Sequence, residues 1–254
     1  MADRIVSGTE DAFRRGLAAV WPEKVPLLSY EELGSTSTHA RSLLESGRRP
    51  PFAVFAKRQT AGRGRRGKSF FSPAGGVYCT LALPDVPEPE SSLVTLLAAV
   101  ALRAAILSVC GKETGIKWVN DLYCGGKKVC GILSERLEGG ILIGFGIDLA
   151  AQEYPEELVG IAGDLGCPDT DPALLAGACA GEILRRIARL PDHAFLAEYR
   201  EYCFLPGREI VYSENGEKVR AVALGVEDTG GLRVRLPDGT ERVLTSGEVS
   251  VRLS

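Results

Sequence analysis

The sequence predicts an α+β chain in two parts, and three observations carry that expectation. Up to about residue 205, short apolar runs with strand character are interleaved with segments patterned as helices. After Pro206-Gly207 the chain changes to short β runs separated by Asn215-Gly216, Thr229-Gly230-Gly231 and Asp238-Gly239, the mark of a small antiparallel barrel or sandwich. Finally, 254 residues at 45% hydrophobic and 25% charged suffice for one sizeable core plus a small second unit. The expected division is 1–205 and 206–254.

The elements follow in order. Residues 8–20 read as a short amphipathic helix closed by Trp21-Pro22, and Ser35-Thr36-Ser37-Thr38 offers caps for a helix that Gly47 ends. Residues 52–57 and 77–83 are apolar strands. The run PDVPEP at 84–89 is a break before LVTLLAAVALRAAILSVC (93–110), which Ser91 or Ser92 can cap and Gly111 can end. This 18-residue run is almost wholly apolar. Arg103 near its middle would cost about 2.5–3.5 kcal/mol in a bilayer, so a buried core helix is expected rather than a span. Residues 116–119 read as a strand, Cys124-Gly125-Gly126-Lys127 as a turn, and 128–137 and 141–149 as strands joined in a hairpin across Glu138-Gly139-Gly140. Asp171-Pro172 opens a helix to residue 190, and a further helix runs from about 193 to 202.

Bulk composition excludes several chemistries. A net charge of −3 argues against general nucleic-acid binding, and about thirty residues before Gly34 are too few for a winged or three-helix DNA-binding module. The first fifteen residues carry no apolar secretory core. Seven cysteines, without a C-x-x-C, read as reduced residues of a cytoplasmic protein. With only His39 and His193 available, a zinc site or a His-based triad has little to draw on. Chemistry is expected from Lys, Arg, Asp, Glu and backbone groups.

The most conspicuous stretch is Gly62-Arg63-Gly64-Arg65-Arg66-Gly67-Lys68-Ser69, with three glycines and four cations in eight residues. It matches both the P-loop pattern and the dinucleotide fingerprint, yet each needs a helix directly after the glycines to hold a phosphate on its N-terminus. Ser69-Phe70-Phe71-Ser72-Pro73-Ala74-Gly75-Gly76 is turn chemistry instead. A glycine-rich, arginine-bearing loop between two strands remains, in which Arg63 and Arg65 can grip a carboxylate or phosphate in bidentate fashion. A solvated basic surface loop or a nucleic-acid patch accounts for the charge alone.

Three further constellations stand out. In Lys117-Trp118-Val119-Asn120-Asp121, a strand runs into Asn120 and Asp121, which can position a cation or an amine or simply form a turn. In Lys128-Val129-Cys130-Gly131-Ile132-Leu133, Lys128 opens an apolar strand and can neutralise an oxyanion or guard a sheet edge. In ILIGFGID (141–148), Gly144 and Gly146 mark the close approach of a ligand or backbone, with Asp148 at the end.

Taken in this order, S-T-S, Q-T-A-G-R-G-R-R-G-K, K-W-V-N-D-L, K-V-C-G-I-L, G-F-G-I-D and a final G-E-V-S-V-R at 247–252, the sequence from Tyr30 onward resembles the biotin protein ligases of the monofunctional type. The resemblance implies a class II synthetase-like catalytic fold with a central mixed sheet, followed by a small SH3-like β-barrel. It implies that biotin and MgATP form biotinyl-5′-AMP and pyrophosphate, and that the biotinyl group then passes to a lysine of a biotin carboxyl carrier protein. On this likeness Ser35, Thr36, Ser37 and Gln59 hold the rings of biotin, and Gly62, Arg63, Gly64 and Arg65 close over its carboxylate and the adenylate phosphate. Lys128 neutralises both groups, while Gly131, Gly144 and Gly146 line the pocket. Lys128, Arg65 and Asp121 are the expected catalytic residues, Asn120 and Asp148 face the nucleotide, and Asp121 is a candidate ligand of Mg²⁺. Relatives often form homodimers through the central sheet; neither DNA nor a membrane is implied as partner.

The sequence departs from the family pattern at Ser37 and Asp148, where asparagine is usual, at Phe70, where tryptophan is usual, and at Val119, where proline is usual. Two rival readings share the carboxylate chemistry. One is a lipoate or octanoate ligase or transferase; the other is a biotin-binding sensor without transfer activity. A P-loop ATPase centred on Lys68 is a third.

Overall fold

The computed structural model describes residues 8–86, 90–151, 153–214, 216–247 and 249–251. The first strand, β1 (Leu27–Leu33), follows helix α1 (Thr9–Ala18) and has no counterpart in the sequence reading. Glu31 and Glu32 interrupt its apolar pattern, which an edge strand tolerates because it pairs on one side only, in parallel with β2 (Phe52–Gln59). Between them lies α2 (Thr36–Glu45), capped by Ser35, whose side chain accepts from the Thr38 N–H. Strands β3 (Val77–Leu83), β4 (Gly115–Lys117), β5 (Asp121–Cys124), β6 (Lys127–Leu137) and β7 (Gly140–Ile147) complete a mixed seven-stranded sheet in the order β1-β2-β3-β7-β6-β5-β4.

The 116–119 strand of the sequence reading is corrected. The chain leaves β4 at Lys117, turns over Trp118, Val119 and Asn120, and returns as β5 from Asp121. Asp121 therefore sits on a strand, opposite Gly131 of β6.

Strands β3 and β7 are buried along their whole length, because both faces of the sheet are covered. Alternate residues of β2 point opposite ways, as a pleated strand requires. Phe52, Val54 and Ala56 pack beneath α2 with Ala40 and Leu44. Ala53 and Phe55 join the larger core under α3 (Val94–Cys110) and α4 (Pro172–Ile187). The N-cap of α3 is Leu93, without a side-chain cap, because Ser91 and Ser92 lie in a 3-10 turn (Glu90–Leu93) ahead of it; Gly111 ends the helix at φ 64°. The Arg103 guanidinium is tucked under the helix, donating to the Thr114 carbonyl at 3.0 Å and pairing with Glu113 at 2.5 Å. Among the described residues no helix is long and apolar enough to cross a membrane.

Asp171 caps α4 through the Ala173 and Leu174 N–H groups, as its sequence predicts. That helix stops at Ile187 rather than 190, and a 3-10 turn (Leu190–Asp192) precedes α5 (Phe195–Tyr202). Strands β8 (Glu209–Glu214), β9 (Glu217–Val226), β10 (Leu232–Arg235), β11 (Glu241–Leu244) and β12 (Val249–Val251) then form an antiparallel five-stranded sheet, ordered β11-β10-β9-β8-β12. Ile210, Ala223, Leu232 and Val234 of this unit share one apolar cluster with α3 and α4. The Trp118 indole N–H donates to the Gly230 carbonyl at 2.9 Å, tying the β4–β5 turn to the second sheet. Residue 215, and Glu248 and Arg252 of the final G-E-V-S-V-R block, lie outside the described residues, as do 1–7, 87–89, 152 and 253–254.

Candidate active site

The site is built on the middle of the large sheet, where β6 and β7 pair Gly131 with Gly146. Two missing side chains at facing positions leave a slot, and the Phe70 ring fills it. A Cβ on Gly146 would lie 2.3 Å from this ring and one on Gly131 2.9 Å from it, far inside contact distance. The Phe70 N–H donates to the Gly62 carbonyl at 2.9 Å, and its ring lies edge-on to Tyr78. Lys128 Nζ is 5.9 Å from the ring centre.

Beside this slot runs a chain of hydrogen bonds whose directions are set at both ends by the backbone. The Thr36 N–H donates to Gln59 Oε1 at 2.8 Å, which fixes the orientation of that amide. Thr36 Oγ1 also donates to Gln59 Oε1, at 3.1 Å, and accepts from Thr80 Oγ1 at 2.9 Å. Ser37 Oγ lies 3.1 Å from Thr80 Oγ1. At the other end Gln59 Nε2 donates to Ser72 Oγ at 2.9 Å, and Ser72 donates to the Phe70 carbonyl at 2.9 Å. Gly144 makes this possible: a Cβ there would sit 2.4 Å from Ser37 Oγ.

The opposite end of the cleft is cationic, and its charges are paired within the protein. Lys128 Nζ is 2.7 Å from Asp121 Oδ1. Arg65 Nη1 donates to Asn120 Oδ1 at 3.1 Å and to the Gly247 carbonyl at 3.5 Å, while Asn120 Nδ2 donates to the Ile132 carbonyl at 2.9 Å. Arg63 is turned the other way, toward the α2 side of the cleft, where it faces Glu135 at 3.4 Å and Arg41 of α2 holds the same oxygen at 2.8 Å. Turn geometry explains the loop: the Gly64 N–H donates to the Lys68 carbonyl at 2.7 Å, Arg66 and Gly67 have φ of 54° and 75°, and Lys68 is already extended. No helix follows, in agreement with the sequence reading that set the P-loop aside. The Tyr199 hydroxyl, donating to the Val119 carbonyl at 3.2 Å, holds the turn that carries Asn120.

Together these groups enclose a cleft of about 480 Å³, lined by Ser35, Thr36, Ser37, Gln59, Arg63, Gly64, Arg65, Asn120, Asp121, Lys128, Gly131, Gly144 and Gly146. Two predicted residues are not in its lining. Gly62 is buried behind it, where a Cβ would meet the Phe70 carbonyl at 2.4 Å and Ser72 Oγ at 2.6 Å, so it gives space to the Gln59–Ser72 bond. Asp148 is also buried, and its Oδ1 has no hydrogen-bond partner among the described residues. Burial pushes its carboxyl up to about 7, with Lys128 opposing the rise and Asp164 adding to it.

Sequence reasoning missed Thr80 and Ser72, and it noted Phe70 only as a departure from tryptophan. Thr80 had a legible signal, as the one aliphatic hydroxyl in the core strand VYCTLAL. It also missed the 156–163 segment, whose Leu158 and Ile161 rim the cleft and whose backbone binds that of Lys128 on both sides. No cluster of three potential metal ligands occurs among the described residues.

Comparison with known proteins agrees with this construction. The sequence model of the Biotin/lipoate A/B protein ligase family matches residues 31–148, and that of the Biotin protein ligase C terminal domain matches 207–252. The chain is 33% identical to the bifunctional ligase/repressor BirA of Bacillus subtilis over 87% of its own length and 72% of the relative's. It is 30% identical to the biotin--[acetyl-CoA-carboxylase] ligase of Paracoccus denitrificans, over 84% of this chain and 96% of that one. Among solved structures, the biotin protein ligase from Aquifex aeolicus in complex with biotin and ATP superposes with a TM-score of 0.77 at 25% identity, covering 90% of this chain and 99% of that chain. The chain belongs to the biotin protein ligase family.

Proposed function

We propose that this chain activates biotin with ATP as biotinyl-5′-AMP and transfers the biotinyl group to a lysine of a biotin carboxyl carrier protein. The observation that carries the reading is the convergence, in one cleft, of an uncharged chain of hydrogen-bonding groups and a cationic end formed by Lys128 and Arg65. A cyclic urea needs the first and a carboxylate meeting an α-phosphate needs the second.

In the first step a biotin carboxylate oxygen attacks the α-phosphorus and pyrophosphate leaves. Two anions must approach, so positioned positive charge is the main demand on the protein. Lys128 exchanges Asp121 for the carboxylate and α-phosphate, and Arg65 meets the phosphate from the loop side. Phe70 and the 62–69 loop keep water from the mixed anhydride. In the second step the carrier amine attacks the acyl carbon and AMP leaves, with Asp121, released from Lys128, available to receive the amine proton. Mg²⁺ screens phosphate charge when bound. With no protein cage among the described residues, it would be held chiefly by nucleotide oxygens, Asp121 being the protein carboxylate at hand.

On this reading residues 1–205 form the catalytic unit and 206–254 the barrel, the enzyme works in the cytoplasm, and a homodimer would form through an edge of the central sheet. Incubation with ATP, labelled biotin and a carrier domain is expected to release pyrophosphate and label one carrier lysine. Labelling with lipoate or octanoate in place of biotin would establish the rival ligase. Biotin binding without pyrophosphate release would establish a sensor.

A further inference from the structure

Thr80 takes no part in the reading above, is fully buried and does not line the cleft, yet it touches both Thr36 and Ser37. Each hydroxyl has a single proton, so the directions of the chain can be followed from its fixed ends. Gln59 Oε1 can only accept, which makes Thr36 spend its proton there. Thr36 must then accept from Thr80, and Thr80, its proton spent, must accept from Ser37. At the far end the Phe70 carbonyl consumes the Ser72 proton, so Ser72 accepts from Gln59. The hydroxyl protons of Ser37, Thr80, Thr36 and Ser72 are all committed inside the protein. Ser37 Oγ, in the cleft wall, is left with lone pairs only.

We infer that Thr80 is a positioning residue that sets the hydrogen-bond polarity of the cleft and through it the ligand chosen. By drawing in the Ser37 proton, it makes Ser37 an obligate acceptor that fits a ring N–H of a cyclic urea and rejects a ring oxygen. Ser35 Oγ accepts from the Thr38 N–H and keeps its own proton, so a donor for the urea carbonyl is present in the same wall. The inference rests on biotin being the ligand. It adds that selection is made one layer behind the contact residues, by a methyl-bearing hydroxyl that valine matches in shape.

The test is a set of three binding titrations, with biotin and with each of the two cyclic carbamate analogues in which one ring N–H is replaced by oxygen. They are run on the full chain and on Thr80→Val and Thr80→Ser. The wild-type chain should prefer biotin to one of the carbamates by about 100-fold or more, as a lone pair facing a lone pair demands. Thr80→Val frees the Ser37 hydroxyl to donate, so that preference should fall about tenfold, while Thr80→Ser keeps it within about twofold of wild type. A merely structural role would weaken all ligands together and leave the ratio alone. An unchanged ratio in Thr80→Val therefore overturns the inference, whatever happens to absolute affinity. Thr80→Ala removes the same proton with a smaller side chain and decides the matter if the valine variant does not fold. Failure of the wild-type chain to bind biotin would overturn the ligand assignment, and that shows in the wild-type arm alone.

Discussion

The two ends of the cleft are held in opposite ways. At the hydroxyl end every proton of the Ser37–Thr80–Thr36 chain has an internal acceptor, and its bonds span neighbouring pieces of buried backbone. At the cationic end Lys128 is held by a carboxylate oxygen of Asp121 and Arg65 by the amide oxygen of Asn120. The first end can receive a neutral group without rearranging. The second must exchange internal partners for ligand oxygens, and for Lys128, which trades the Asp121 carboxylate for another anion, the charge is never left unpaired. Ring recognition is thus preorganised, while charge recognition is a substitution coupled to the arrival of an anion.

The largest test of this contrast removes the charge. Lys128→Ala should reduce adenylate formation by on the order of 10²–10³-fold, read as pyrophosphate release, with biotin binding to the hydroxyl end weakened far less. Equal losses in both measurements would contradict the division of the cleft.

Filling the glycine slot comes next. Gly146→Ala drives a Cβ into the Phe70 ring, and overpacking of this kind costs about 1–3 kcal/mol, visible as a lowered Tm. Adding Phe70→Ala should recover part of that stability, since the two changes share one space. A strictly additive pair would mean that the ring does not rest there.

A third test uses pH. The Asp148 carboxyl, raised from 3.8 to about 7 by burial, binds its proton more tightly folded than unfolded. Nothing is lost below the unfolded value; stability then declines as pH rises from about 4 to about 7 and stays lower above it. Asp148→Asn should leave Tm unchanged at pH 4 and raise it at pH 8, by on the order of 1–4 kcal/mol of stability. An equal shift at both pH values would mean that the group does not titrate in this window.

The smallest effect is expected at Lys68, whose side chain is exposed on the loop. Lys68→Ala should leave turnover within about twofold, since Lys68 itself has ordinary extended backbone, contributes its carbonyl rather than its side chain to the turn, and is exposed at the rim of the cleft. A collapse of ATP-dependent activity would revive the P-loop reading.

Much of the fold could be read from local chemistry. The buried strands β3 and β7, the hairpin across Gly139 and the caps Ser35, Asp171 and Gly111 are written in neighbouring residues. Strand β1 was not legible, since its two glutamates break the pattern and only its parallel pairing with β2 makes it a strand. The β4–β5 turn was misread for a similar reason: Trp118 is apolar because it reaches the second sheet, not because the strand continues.

The candidate site divides along the same line. Residue types and their order were enough to indicate an anion loop, a reacting lysine and a set of ring contacts, because charge, hydroxyl chemistry and missing side chains belong to single residues. Only folding in three dimensions decided that Gly131 faces Gly146 under Phe70, that Asp121 holds Lys128, and that Thr80 takes the proton of Ser37 from 43 positions away. Sheet register and the direction of a hydrogen bond are relations between distant residues, so no single stretch of sequence carries them.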